Sequence, residues 1–258
     1  KKTLCWDMLQ TFESCLALSV SQAVTPQTDE AALKSRLENQ YEKKIRKQEQ
    51  ALFLRIRQLF HHHLFEFRLQ AQDILVHDLF SRQTWELLGL TRGQLAGAGA
   101  AVGGGLGAVL DTAAAGITFG VFTAIGSALG AGSALWGGDR IAREKRAGIR
   151  LGGERYRLGP VKNIQFFYVL MDRALLYTAQ MAGRSHGRRD VAGADRPADS
   201  GGRGGSQERQ GYATHFTPAQ KQVCARFFKA ATKGSHVGRD KVRTDFRTLL
   251  ETLFDRLV

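Results

Sequence analysis

Three consecutive histidines, His61-His62-His63, with Glu66 three positions beyond His63, are the side chains of this chain best suited by type to hold a metal ion. Consecutive residues on a helix point in three directions, so only His63 and Glu66 have the spacing that puts two ligands on one face. His77 lies too far along to join them without a bend, and no metal site is expected. Cys5, Cys15 and Cys224 form no CxxC pair, which fits a reducing compartment without disulfides. Cys5 and Cys15, with no positioned base evident, read as core thiols. No GxxxxGK followed by Ser or Thr occurs, and Gly103-Gly104-Gly105-Leu106-Gly107 lies inside an apolar run, not between a strand and a helix. Neither nucleotide-binding fingerprint is met. No catalytic residue and no cofactor site is therefore expected in this chain.

The remaining ionisable group of interest is Asp111, the one formal charge between Leu95 and Gly138. Glycines recur around it at four-residue steps, first Gly99, Gly103 and Gly107, then Gly116 and Gly120, then Gly126 and Gly130. Small residues at i and i+4 make a flat stripe on which another helix backbone can lie. The segment is expected to be a Gly-zipper helical hairpin over 95–138, with Asp111 at its apex as a turn or capping residue. Its arms, Leu95 to Leu110 and Thr112 to Gly138, would be about 24 and 40 Å long as helices, against a bilayer core of about 30 Å. They hold few strongly inserting residues, so a membrane hairpin and a buried soluble helix pair both remain open. Arg140, Arg143, Lys145, Arg146 and Arg150 follow at once, a cluster suited to an anionic partner. With Arg82 and Arg92 on the other side, they would keep both ends of an inserted hairpin in the cytoplasm.

The whole chain of 258 residues has 37 Lys and Arg against 24 Asp and Glu, a formal charge of +13. That balance favours nucleic acid, acidic lipid or an acidic protein face. Stacking aromatics are scarce near the basic cluster, with only Tyr156 at hand, which argues against sequence-specific RNA reading. The start, Lys1-Lys2-Thr3-Leu4, has no signal-peptide pattern and reads as a piece of a longer polypeptide.

The elements that must carry these residues are mostly helical. Near-helical apolar spacing predicts a short helix within 3–24. A stripe of Leu33, Leu37, Tyr41, Ile45, Leu52, Ile56, Leu59 and Phe67, with gaps at Gln48 and Arg55, predicts a long helix over 29–72 that either projects as a stalk or packs against another long helix. Ile74 to Leu90 reads as a short helical piece punctuated by Gly89 and Gly93. Gly152-Gly153 predicts a two-residue turn in a β-hairpin over 147–158. Asn163 can cap a helix through Phe166, Phe167, Leu170, Ala174, Tyr177 and Met181, with Asp172 and Arg173 on its opposite face. Residues 184–216, rich in Gly, Arg and Ser, are expected to be a disordered loop. Thr217-Pro218-Ala219-Gln220 is a capping box that opens a C-terminal helix pair over 217–258. The expected fold is mainly α: a helical bundle with a long helix, a Gly/Ala-rich hairpin and one small β-hairpin. Residues 1–183 form its body, and the C-terminal pair packs on the same body.

Several of these segments together resemble a known family. They are Asp78-Leu79-Phe80 leading to Thr84-Trp85-Glu86-Leu87-Leu88-Gly89-Leu90, the hairpin containing Asp111, Leu158-Gly159-Pro160 with Asn163 before Phe166, and Val169-Leu170-Met171-Asp172-Arg173-Ala174-Leu175-Leu176. His186-Gly187-Arg188-Arg189-Asp190 continues the pattern. The chain resembles the helical region that follows a small Era/TrmE-type GTPase domain in a proteobacterial family, the domain of unknown function 3482. The resemblance implies a non-catalytic effector or membrane-associating region, with GTP and Mg bound by an upstream domain absent from this chain. It implies a cytoplasmic protein that can associate with the inner membrane. The alternative expectation is a soluble RNA- or ribosome-associated GTPase module that binds through a basic face.

Overall fold

A computed structural model describes residues 1–23, 29–60, 73–91, 94–95, 155–183, 211–233 and 238–257, together with the backbone of 142–144. Its described part is mainly helical, with six α-helices and a small antiparallel sheet. Helix α1 is Lys2–Ala17, strand β1 Val20–Ala23, α2 Glu30–Leu59 and α3 Arg82–Leu87. Strands β2 (Ala142–Glu144) and β3 (Arg155–Leu158) precede α4 (Ile164–Ala182), α5 (Pro218–Lys233) and α6 (Arg239–Leu257).

The centre of the molecule is α4. Of its 19 residues, 15 are buried, because α1, α2, α5 and α6 all pack around it. The expectation that Asp172 and Arg173 sit on an outer face is corrected: they are 0% and 3% exposed. The clean period of Phe166, Phe167, Leu170 and Ala174 marks one buried face, but neighbours cover the other side as well. Phe167 lies at the heart of an aromatic cluster, edge-on to Phe12 at 5.8 Å and tilted against Phe227 and Phe246, both at 5.6 Å. Phe227 and Phe246 stack at 4.0 Å, which joins α5 to α6.

Helix α2 starts at Asp29, whose carboxylate accepts the Ala31 N–H, and its helical residues end at Leu59. Over that length it does not stand free: Leu33, Leu37, Tyr41, Ile45, Leu52 and Ile56 are buried against α1 and α4. The remainder of the expected long helix, 61–72, lies outside the described residues. The gap in its stripe at Gln48 is filled by a polar contact, since the Cys15 thiol donates to Gln48 Oε1 at 2.9 Å.

The first expected helix ends at Ala17, earlier than its apolar spacing suggested, and 20–23 become a strand. Val20 is opposite Leu158, and both are buried, so pairing with β3 overrides local helical periodicity. The sheet order is β1-β3-β2. The two-residue turn expected at Gly152-Gly153 is also corrected. In unbroken register it would set Arg155 opposite Arg150, whereas Arg155 faces Glu144. The hairpin therefore joins through residues 145–154, which lie outside the described residues.

After β3 the chain turns into α4 through Gly159, whose φ is +93°. A Cβ there would lie 2.2 Å from the Leu18 carbonyl oxygen, so the α1–β1 connection fits only against glycine. Gly159→Ala should cost about 2 kcal/mol or more, combining backbone strain with displacement of Leu18. Urea denaturation checks this, and a loss under about 0.5 kcal/mol, the size of an ordinary surface substitution, would contradict the tight fit.

Candidate functional site

Among the described residues no group of three or more His, Cys, Asp and Glu could hold a metal ion. His61, His62, His63 and Glu66 lie outside those residues. All three cysteines are buried and unpaired. Burial, followed by the Glu251 carboxylate, pushes the Cys5 thiol up to about 11, and burial also raises Cys15 and Cys224. Burial thus favours the neutral thiol at all three.

The polar chemistry that the fold does build lies on α4. Gln165, Asp172, Arg173 and Thr178 are all buried. Thr178 bonds back to the Ala174 carbonyl within its own helix, while the other three reach out and tie down incoming loops. Asn163 caps the helix, accepting the Gln165 N–H at 2.8 Å, which leaves the Gln165 side chain to face the 88–90 segment. There Gln165 Oε1 accepts the Leu90 N–H at 3.0 Å, and Nε2 donates to the carbonyls of Leu90 and Leu88 at 3.2 and 3.4 Å. The amide thus pairs with Leu90 as a neighbouring strand would.

Two turns further, Asp172 joins two segments distant in sequence. Its Oδ2 accepts the Gly89 N–H at 2.7 Å and its Oδ1 the Ala213 N–H at 2.8 Å. Both approaches require glycine. Gly89 has φ +77°, and a Cβ on it would lie 2.6 Å from Gln165 Nε2; a Cβ on Gly211 would lie 2.0 Å from Asp172 Oδ2. Gln94 adds a third tie, donating to the Thr214 carbonyl at 2.8 Å. The chain emerging from 184–210 therefore re-enters the body beside the chain leading into 96–141.

Arg173 points the other way. Its Nε donates to Glu49 Oε1 at 2.5 Å and its Nη1 to the His77 carbonyl at 2.8 Å, so α2 and the 73–81 loop are fixed to the same helix. That loop is a compact knot. Asp78 accepts two N–H bonds from Arg46, at 2.7 and 3.0 Å, and the Phe80 N–H at 2.9 Å. Arg46 lies over the Phe80 ring, and the Trp85 indole N–H donates to the Leu79 carbonyl at 2.8 Å. Partial burial raises the Asp78 carboxyl, but the Arg46 bonds and charge with the Phe80 N–H outweigh it and hold Asp78 below its ordinary value.

Most residues expected to act lie beyond this platform. Gly99, Gly103, Gly107, Asp111, Gly116, Gly120, Gly126 and Gly130 fall outside the described residues, as do Arg140, Lys145, Arg146 and Arg150. Arg143 is described through its backbone, which sits opposite Tyr156 in the sheet. The structure describes how the chain on either side of that segment is held. Leu90 and Gln94, before it, are bonded to Gln165 and Thr214; Ala142–Glu144, after it, pair with β3, which is followed by the Gly159 turn into α4. The preceding flank is thus tied to α4 itself, and the following one to the strand that leads into it. Asp172 and Gln165 were not expected in this role; the signal that could have found them is polar residues within a helix too apolar to have a solvated face.

Comparison with known proteins gives one match. The family model described as Domain of unknown function (DUF3482) matches residues 5–255. No curated protein and no solved structure matches the chain.

Asp172→Ala leaves the buried N–H groups of Gly89 and Ala213 unpaired and should destabilise by about 3 kcal/mol or more in urea denaturation. A loss under about 1 kcal/mol would show that the carboxylate is not what holds these loops. Asp78 should contribute stability that is fully present above about pH 4, its unfolded value, and lost as pH falls through its lower folded value. Asp78→Asn should therefore flatten the acid limb of the stability profile, and an unchanged limb would contradict this.

Proposed function

The chain belongs to the DUF3482 family, a domain of unknown function, and from that footing we propose that it is the non-catalytic effector and membrane-associating region of a bacterial GTPase. The GTP-binding domain, with its GTP and Mg, lies upstream of the sequence considered. The reading is carried by one observation: the chain entering the Gly/Ala segment is tied by buried bonds to α4, and the chain leaving it pairs with β3, the strand that precedes α4. A segment so held is anchored to the body on either side. Its glycine ladder suits close helix pairing, and the basic cluster after it suits acidic headgroups.

The same geometry offers a route for nucleotide state to act. Asp172 binds the chain before the Gly/Ala segment and the chain before α5 through its two oxygens. A domain that pulls on α5 or α6 changes the setting of Gly89 through that one carboxylate. Such coupling needs only differential contact with two states of the body.

No helix among the described residues is long and apolar enough to cross a membrane, so the membrane contact is assigned to 96–141 and its basic flank. The full-length protein should float with acidic liposomes, to an extent that differs between its GTP- and GDP-bound states. Protein that stays wholly in solution under every nucleotide condition would overturn the membrane reading. RNA binding that falls steeply with salt and vanishes on mutating Arg143, Lys145 and Arg146 would favour the ribosome- or RNA-associated module instead.

A further inference from the structure

On helix α2 the acids keep to one side. Its described acidic side chains, Glu38, Glu42 and Glu49, lie on the side turned to the body, where Glu42 pairs with Arg46 and Glu49 with Arg173. Arg36, Lys43, Lys47 and Leu54 are all exposed. At about 100° per residue these four fall within roughly 20° of a single line along the helix, and at 1.5 Å per residue the line is about 27 Å long. Lys44 and Arg55, roughly 80 to 100° round the helix from the line and both to one side of it, are also exposed. At its N-terminal end Ala32, Ser35, Asn39 and Gln40 line a shallow open trough beside Arg36 and Lys43. The described side chains facing outward from α2 thus include cations and no acid.

We infer that this outer face of α2 is a docking surface for an acidic lipid bilayer, lying flat along it. The inference rests on the membrane reading above and names the face that meets the lipid. Charge complementarity selects an anionic partner, and two further observations select a lipid surface. No aromatic side chain of α2 is exposed among the described residues, so bases have nothing to stack on. Leu54, 55% exposed in line with the cations, offers nothing to a phosphate but fits the boundary between headgroups and acyl chains. The apolar side of α2 is already buried in the body, so the contact is electrostatic docking with one shallow apolar foot, not insertion.

The test uses the full-length protein and vesicles of phosphatidylcholine with or without a minority of phosphatidylglycerol. Arg36→Gln, Lys43→Gln and Lys47→Gln together should weaken partition onto acidic vesicles about a hundredfold, at roughly fivefold per cation near an acidic surface. Lys229→Gln, Lys233→Gln and Lys241→Gln remove the same charge from exposed positions on α5 and α6 and should have a much smaller effect. The single reversal Lys43→Glu should act in the same direction by about twentyfold. An α2 variant that binds as wild type, or both triple variants weakened alike, would overturn the docking face while leaving the membrane reading intact. Wild-type protein that ignores acidic vesicles would sink both. Loss of mixed-sequence RNA binding in the α2 variant, with vesicle binding retained, would reassign the face to nucleic acid.

Discussion

Asp172 sits fully enclosed in the middle of a helix that is itself buried, and each of its oxygens accepts a backbone N–H from a different loop. A carboxylate in such a place is tolerable only when its lone pairs are satisfied. The loops that satisfy it must come in as bare backbone, which is why Gly89 and Gly211 stand at the points of approach. Gln165 and Arg173 repeat the logic with an amide and a guanidinium. Between them, these side chains fix α2, the 73–91 segment and the 211–216 turn to one helix. The aromatic cluster around Phe167 supplies most of the apolar burial, but it is non-directional. The polar contacts set which loop goes where.

Hydrogen bonds of this kind contribute modestly when made and cost much more when one partner is lost. That asymmetry makes the hub a constraint on everything attached to it. The chain before the Gly/Ala segment is attached to it at Gly89 and Leu90, and the chain before α5 at Ala213.

Features of the sequence that express local physics were readable. Asn163 caps α4 as its spacing suggested, and Thr217 and Gln220 exchange the reciprocal bonds of a capping box. The apolar stripe from Leu33 to Ile56 is the buried face of α2, and the mainly helical class follows from such patterns. What was not readable depended on partners far along the chain. Val20 to Ala23 are a strand because β3 lies beside them, which no local period encodes. The sheet register misled for the same reason: Gly152-Gly153 is a strong turn signal, but a register six residues away satisfies the strands. The site was the least legible part. A polar residue in a helix is ordinarily assigned to water, and only the packing of four other helices around α4 shows that Asp172 and Arg173 have none. Gly89 looked like punctuation and Gly211 fell in the stretch expected to be disordered, whereas 211–216 is an ordered turn; the purpose of both glycines appears only with the carboxylate and amide they approach.

The chain belongs to the DUF3482 family, and its described body is organised around the Asp172 hub. With both oxygens of Asp172 and the amide of Gln165 engaged, these bonds should belong to the globally folded core and not open locally. Native-state hydrogen exchange of the Gly89, Leu90 and Ala213 amides distinguishes the two cases. All three should exchange only through global unfolding, with the same protection free energy and the full urea dependence of the core amides of Phe167 and Leu170. Exchange through small local openings, with little urea dependence, would contradict it.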